Sequence, residues 1–182
     1  MTEHALAIDE TSVDAQSNSA EEMNRKVEKY LTFRINDHTF GTEVFRIKEI
    51  IEYCQITNIP ITHENVRGVI NLRGNVVPVI DMAIRIGMEK REISKRTCII
   101  IVDIEYAEEQ IELGFVVDEI NEVQDVFFDQ ILPAPSFGAE IKAEFVKGML
   151  KKGEKFIVLL QIEEVLSIRE LSELVAMESE RS

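Results

Sequence analysis

The chain has 182 residues, of which 45% are hydrophobic and 30% charged, enough to bury one sizeable core without help from disulfides or a metal. Lys plus Arg number 20 against 34 Asp plus Glu, and the net charge of −14 opposes any sequence-independent attraction to nucleic acid or an anionic lipid surface. Apolar runs such as Phe156 to Leu160 fall far short of the roughly 20 residues a membrane-spanning helix needs, and the start of the chain has neither the basic nor the apolar region of a signal peptide, so a cytoplasmic location is expected.

Residues 1–26 are acidic and polar and offer too few large apolar side chains to offset the entropy of ordering, which predicts a flexible acidic N-terminal tail. From Lys29 the pattern turns to short β-type runs. Leu31, Phe33 and Ile35 alternate with Thr32 and Arg34, and Asn36-Asp37-His38 reads as a hairpin turn before Thr39-Phe40. Similar runs recur at 66–72, 75–80, 97–104, 111–118 and 155–161. Asp81 is expected to cap a short helix at 82–86. Near the end, Ile162, Val165, Leu166, Leu171, Leu174 and Val175 share a helical face, which predicts one helix at about 162–177. Short, closely spaced strands with a single late helix give an all-β barrel or sandwich with a C-terminal helix.

Internal repetition organises these runs. Gly41 and Gly114 lie 73 residues apart, and the same offset matches Ile47-Lys48-Glu49-Ile50 to Ile120-Asn121-Glu122-Val123 and Ile59-Pro60 to Leu132-Pro133. Further on the offset becomes 80, matching Arg67-Gly68-Val69-Ile70 to Lys147-Gly148-Met149-Leu150 and Val76–Ile80 to Phe156–Leu160, so the second copy carries an insertion around Pro133–Gly138. Two related lobes follow, at about 27–88 and 95–167, within one domain over 27–178, joined by the charged segment Glu89–Arg96.

Catalytic signatures are missing. The eight glycines form neither a Walker A nor a GxGxxG pattern. His63-Glu64 opens like HExxH, but Arg67 stands where the second zinc ligand would be. Cys54 and Cys98 sit in apolar stretches without the near neighbour of a CxxC site, and two reduced, buried thiols are expected. No catalytic residue, cofactor or metal site is therefore expected, and the chain reads as a non-enzyme. A small-ligand- or oligonucleotide-binding β-barrel stays open as an alternative, although the acidic balance and the lack of a basic, aromatic strand face oppose the nucleic-acid version.

The run Val66-Arg-Gly-Val-Ile-Asn-Leu-Arg-Gly-Asn-Val-Val-Pro-Val-Ile-Asp81 resembles the signature of the CheW family of bacterial chemotaxis coupling proteins. The resemblance extends over Tyr30–Phe33, Phe40-Gly41, Ile47–Ile50, Gly114–Asp118, Ile120–Val123, Leu132–Pro135 and Phe145–Leu160, nearly everything from residue 28 to 167. It implies two SH3-like five-stranded β-barrel lobes with a groove between them, and an adaptor that couples chemoreceptor tips to the histidine kinase CheA in a higher-order array on the inner face of the membrane. A CheW-like module in a non-flagellar system, such as twitching motility, is the alternative within the family.

By the same resemblance, Ile47, Gly68, Asn71, Arg73 and Val123 belong to the receptor-binding groove, and Glu49, Ile50 and Phe137 to kinase contacts. The glycines around Arg73 permit a tight turn that projects its guanidinium, with Glu49 a candidate ion-pair partner. Phe137 stands on a loop stiffened by Pro133 and Pro135, where ordering costs little entropy on docking. The chain departs from the enteric pattern in carrying Leu132 where an arginine precedes that proline, which makes the second kinase contact more apolar or weaker.

Overall fold

A computed structural model describes residues 25–60, 63–134 and 141–165, together with residues 170 and 176. Ten strands follow in order: β1 (Val27–Ile35), β2 (His38–Glu43), β3 (Ile47–Glu52), β4 (Val66–Leu72), β5 (Asn75–Asp81), β6 (Cys98–Tyr106), β7 (Glu109–Val117), β8 (Glu119–Phe127), β9 (Val146–Lys152) and β10 (Lys155–Leu160). They form two five-stranded sheets, ordered β8-β1-β2-β10-β9 and β3-β6-β7-β5-β4. Both contain one parallel pair, β2 with β10 and β5 with β7, among otherwise antiparallel neighbours.

The two-lobe, mostly β architecture expected from the sequence is present, but the sheets do not follow the division at about residues 88–95. Each sheet takes two adjacent strands from one repeat and three from the other: β1 and β2 with β8, β9 and β10, and β6 and β7 with β3, β4 and β5. The offsets recur in the backbone. Gly41 stands opposite Leu159 in one parallel pair, and Gly114 opposite Val79 in the other. Where the last strand of each copy ends, Asp81 N–H donates to the Asn65 carbonyl at 2.7 Å and Gln161 N–H to the Phe145 carbonyl at 2.8 Å.

Three apolar clusters hold the lobes. Tyr30, Val126, Leu150, Ile157 and Leu159 fill one barrel, bringing edge strands β8 and β9 onto one core, so that sheet curls on itself. Ile70, Val77, Val79, Ile99, Ile101 and Val116 fill the other. The largest cluster lies between the sheets, where Leu31, Phe33, Ile35 and Phe40 meet Ile100, Val102, Ile104, Leu113, Phe115 and Phe145. Alternation allots the faces: Ile99 and Ile101 of β6 point into their barrel, and Ile100, Val102 and Ile104 into the shared core. Burial on both faces is why β6 reads as the unbroken apolar run Ile99-Ile100-Ile101-Val102.

Asp81 caps the short helix α1 (Met82–Arg85) as expected, its Oδ1 accepting from Ile84 N–H at 3.3 Å. The helix expected at about 162–177 begins as a 3-10 turn at Ile162–Glu164 followed by a bend at buried Val165, Glu170 and Ala176 are helical, and positions 166–169, 171–175 and 177 lie outside the described residues. The N-terminal tail, apart from its last two residues, also lies outside them. The polar segment Glu119–Phe127 is a full strand paired with β1. A correction falls on the thiols. Cys54 is exposed, because β3 ends at Glu52 and the chain leaves the core before reaching it, while Cys98 is half-buried.

Candidate functional site

The predicted site residues gather on two edge strands, β3 and β8, and on the hairpin β4–β5. A register shift between Ile47 and Glu49 sets Lys48 apart as an extra residue, so Ile47 stands opposite Val102 and Ile50 opposite Ile100. Residues directly opposite share a face, and both partners belong to the shared core. Ile47 and Ile50 thus lie on the inter-lobe face of their sheet, Ile47 half-buried against the core and Ile50 42% exposed. On β8 the equivalent shift, between Leu31 and Phe33 of its partner strand, puts Ile120 opposite Phe33 and Val123 opposite Leu31. Ile120 packs on the shared core and Val123 is 52% exposed. The two bulges therefore leave the shared core with an uncovered aliphatic margin, one residue from each sheet.

The β4–β5 turn is built by Arg73 and Gly74, with φ of 51° and 91°. Two consecutive positive φ values give the twist that a two-residue hairpin needs. Asn71 Oδ1 accepts from Gly74 N–H at 2.9 Å and braces the turn. Arg73, its side chain 74% exposed, reaches Glu49 on β3 through two hydrogen bonds, Nη1 to Oε1 at 2.8 Å and Nη2 to Oε2 at 2.9 Å. That bidentate pair joins the edge strand to the hairpin and fixes the guanidinium plane, leaving its remaining donors toward solvent. Gly68 is buried and has a different task. At φ +143° it brings β4 so close to the preceding segment that an added Cβ would lie 2.1 Å from the Thr57 carbonyl oxygen.

The other lobe repeats the arrangement in a form that sequence reasoning missed. Glu122, equivalent to Glu49, is ion-paired with Lys152 at the foot of the β9–β10 hairpin. That hydrogen bond, with a second from Gln124 Nε2 at 2.7 Å, holds the Glu122 carboxyl below its usual range. The signal was available, since the offset of 73 already aligned the two glutamates. Phe45, Phe128 and Phe156 are 70%, 58% and 47% exposed, although a phenylalanine within or beside a strand reads as core. Leu132 is 42% exposed and bridges to Met149. Phe137 lies outside the described residues.

Behind these surfaces two basic residues at equivalent positions are half-buried with counter-ions. Arg67 donates from Nε to Asp81 Oδ2 at 2.7 Å and from Nη1 to the Tyr53 hydroxyl at 3.0 Å. Lys147 donates to Glu28 Oε2 at 3.2 Å and to Glu43, and sits 5.5 Å from the Tyr30 ring centroid. Burial opposes the Lys147 charge, but its bonds to Glu43, Tyr30 and Glu28 outweigh burial and raise its pKa. Burial likewise works against the Glu28 charge, and the Lys147 bond overcomes it, so the Glu28 carboxyl stays below its ordinary range. Burial, then the Glu52 charge, pushes the Cys98 thiol up.

Among the described residues no group of three or more His, Cys, Asp or Glu is placed to hold a metal ion, and no helix is long and apolar enough to cross a membrane. The edge strands present exposed aliphatics and charged pairs, the mix of apolar and polar groups from which protein interfaces are built.

Comparison with known proteins bears on the family and the fold. The CheW-like domain model matches residues 29–170. The chemotaxis protein CheW of Klebsiella aerogenes is 30% identical over 145 residues, covering 80% of this chain and 85% of the relative. That of Bacillus subtilis is 32% identical over 139 residues, covering 76% and 86%. Among solved structures, the scaffolding protein TtCheW from Thermoanaerobacter tengcongensis matches with a TM-score of 0.72 and 32% identity, over 81% of this chain and 94% of that one.

Proposed function

The chain belongs to the CheW-like domain family, and on that premise we propose that it is a non-catalytic chemotaxis adaptor, cytoplasmic, that couples chemoreceptor tips to the histidine kinase CheA. The observation that carries this reading is the exposed aliphatic margin of the inter-lobe core, Ile50 and Val123, together with an arginine already oriented by Glu49, the strand neighbour of Ile50. Apolar residues left at the open margin of a core have a reason to be covered by a partner. A guanidinium held in plane loses little rotamer freedom when a partner's carboxylate or carbonyl meets its free donors.

In this reading Ile47, Gly68, Asn71, Arg73 and Val123 form and support the groove that receives the receptor tip. Gly68 and Asn71 act through the shape of the hairpin, Arg73 and Val123 by contact. Glu49 and Ile50 present the edge of β3 to the regulatory domain of CheA. Phe137 supplies a second kinase contact by family resemblance alone.

Binding of the full chain to a receptor tip fragment and to the CheA regulatory domain, measured separately, tests the reading. Wild type binds both. Arg73→Glu loses receptor affinity by about 2 kcal/mol or more, roughly 30-fold, and keeps the kinase. Because an exposed ion pair contributes only about 0–1 kcal/mol to stability, Arg73→Glu melts within a few degrees of wild type. Failure of wild type to bind either partner overturns the adaptor reading.

A further inference from the structure

The arrangement of ladders has a property that the repeat alone does not contain. All four hairpins, β1–β2, β4–β5, β6–β7 and β9–β10, are formed within one half of the chain. All four ladders that join hairpins and single strands into sheets, β1–β8, β2–β10, β3–β6 and β5–β7, cross from one half to the other. Among the described residues neither half therefore holds any sheet wider than two strands, and isolated two-stranded hairpins are marginal in water. The shared core is divided in the same way, with Phe33, Phe40 and Met82 from the first half packed on Leu113, Phe115 and Phe145 from the second.

Between the halves runs a connection that takes no part in either sheet. Residues 89–96 are all exposed and outside every strand. Its described contacts keep to the half they adjoin at each end. Asn36 Nδ2 donates to the Glu89 carbonyl at 3.2 Å and Arg91 pairs with Asp37 at 3.1 Å, both in the first half, while Arg96 pairs with Glu119 at 3.0 Å in the second. The covalent link thus sets which second half a first half meets without forming any of the contacts between them.

We infer that each half of this chain is a specific binding partner for the other, so that a second copy can supply the missing half and two chains can form a reciprocal dimer with both folds complete. Every ladder and every core contact of the single chain is available in such a dimer, and only the path of residues 92–95 differs. Monomer and dimer are then close in free energy per chain, with concentration and linker length deciding between them. The groove would survive in duplicate, since Ile47 and Arg73 come from the first half and Val123 from the second.

A protease site inserted between Glu92 and Ile93 of the full chain tests this. Cleavage of the folded monomer should leave two half-chains associated at the mass of one chain, with one cooperative melt. Refolding the uncut protein at rising concentration should yield a dimer by light scattering, and deletion of residues 92–95 should raise its share at a given concentration. Cleaving the linkers of that dimer should return it to the mass of one fold, because only the linkers tie the two folds together. Halves that part on cleavage or melt independently, a dimer that keeps its mass after cleavage, or the absence of dimer from both the uncut protein and the deletion variant would each overturn the inference.

Discussion

Gly68 and Lys147 show how single residues carry the geometry of the surfaces. With its missing Cβ pointing at the Thr57 carbonyl 2.1 Å away and φ at +143°, Gly68 admits no side chain unless two backbone segments separate. Gly68→Ala is expected to cost about 2–4 kcal/mol, a fall of roughly 5–15 °C in Tm by calorimetry, and to weaken receptor and kinase binding together because β4 and its hairpin shift. Lys147 separates Glu28 from Glu43. Lys147→Met should destabilise by about 1–3 kcal/mol at pH 7, less than a fully buried pair because the lysine is 25% exposed. The pH dependence has a definite sign. In wild type the Glu28 pKa is lowered on folding, so its contribution is present above the unfolded value and is lost as pH falls through the folded one. In Lys147→Met that carboxyl keeps its bonds from Tyr30 and Lys26 but loses the larger contribution of Lys147, so burial weighs more, its pKa moves up, and acid relieves it. Denaturant titrations should therefore show the gap between wild type and variant narrowing from pH 7 to pH 4. A thiol titration makes a third check: exposed Cys54 should react first and Cys98 more slowly, since burial raises the pKa of its thiol.

Strands whose inward residues are all apolar were legible in the sequence, and those that mix the two were not. β5, with Val77, Val79 and Ile80, and β6, with four consecutive apolar residues, announce themselves. β8 does not, because its bulge against β1 breaks the period of two, leaving Val123 outside and Gln124 half-buried within an acidic run. The turn at Arg73-Gly74 was readable from glycine spacing, and Glu49 stood as a candidate partner for its arginine. The pair of Glu122 with Lys152 was readable only by carrying that result through the repeat. Edge placement also sets what substitutions do. Val123→Lys should change Tm by less than about 2 °C while reducing receptor binding, because the side chain already faces water. Ile120→Lys, three residues away on the same strand, should cost about 2 kcal/mol or more, because its side chain packs on the shared core. Equal melting temperatures for the two variants would contradict the register that separates them.

For the molecule as a whole, the repeat revealed that two equivalent sets of strands exist and was silent on which set each strand joins. Alternation reports which face of a strand is buried, not which neighbour it meets, so an arrangement of consecutive lobes and the crossed arrangement give the same pattern. The crossing bears on how the protein is made. Strand β1 begins at Val27, yet its sheet is complete only with β10 at Lys155–Leu160. At about 5–20 residues per second, translation separates the two by a time on the order of ten seconds. For about the first half of that interval Phe33 and Phe40 lack the second-half residues they pack on, from Ile100 to Phe115, and the first hairpins present open edges, so the nascent chain must be kept from its neighbours on the polysome until its second half emerges.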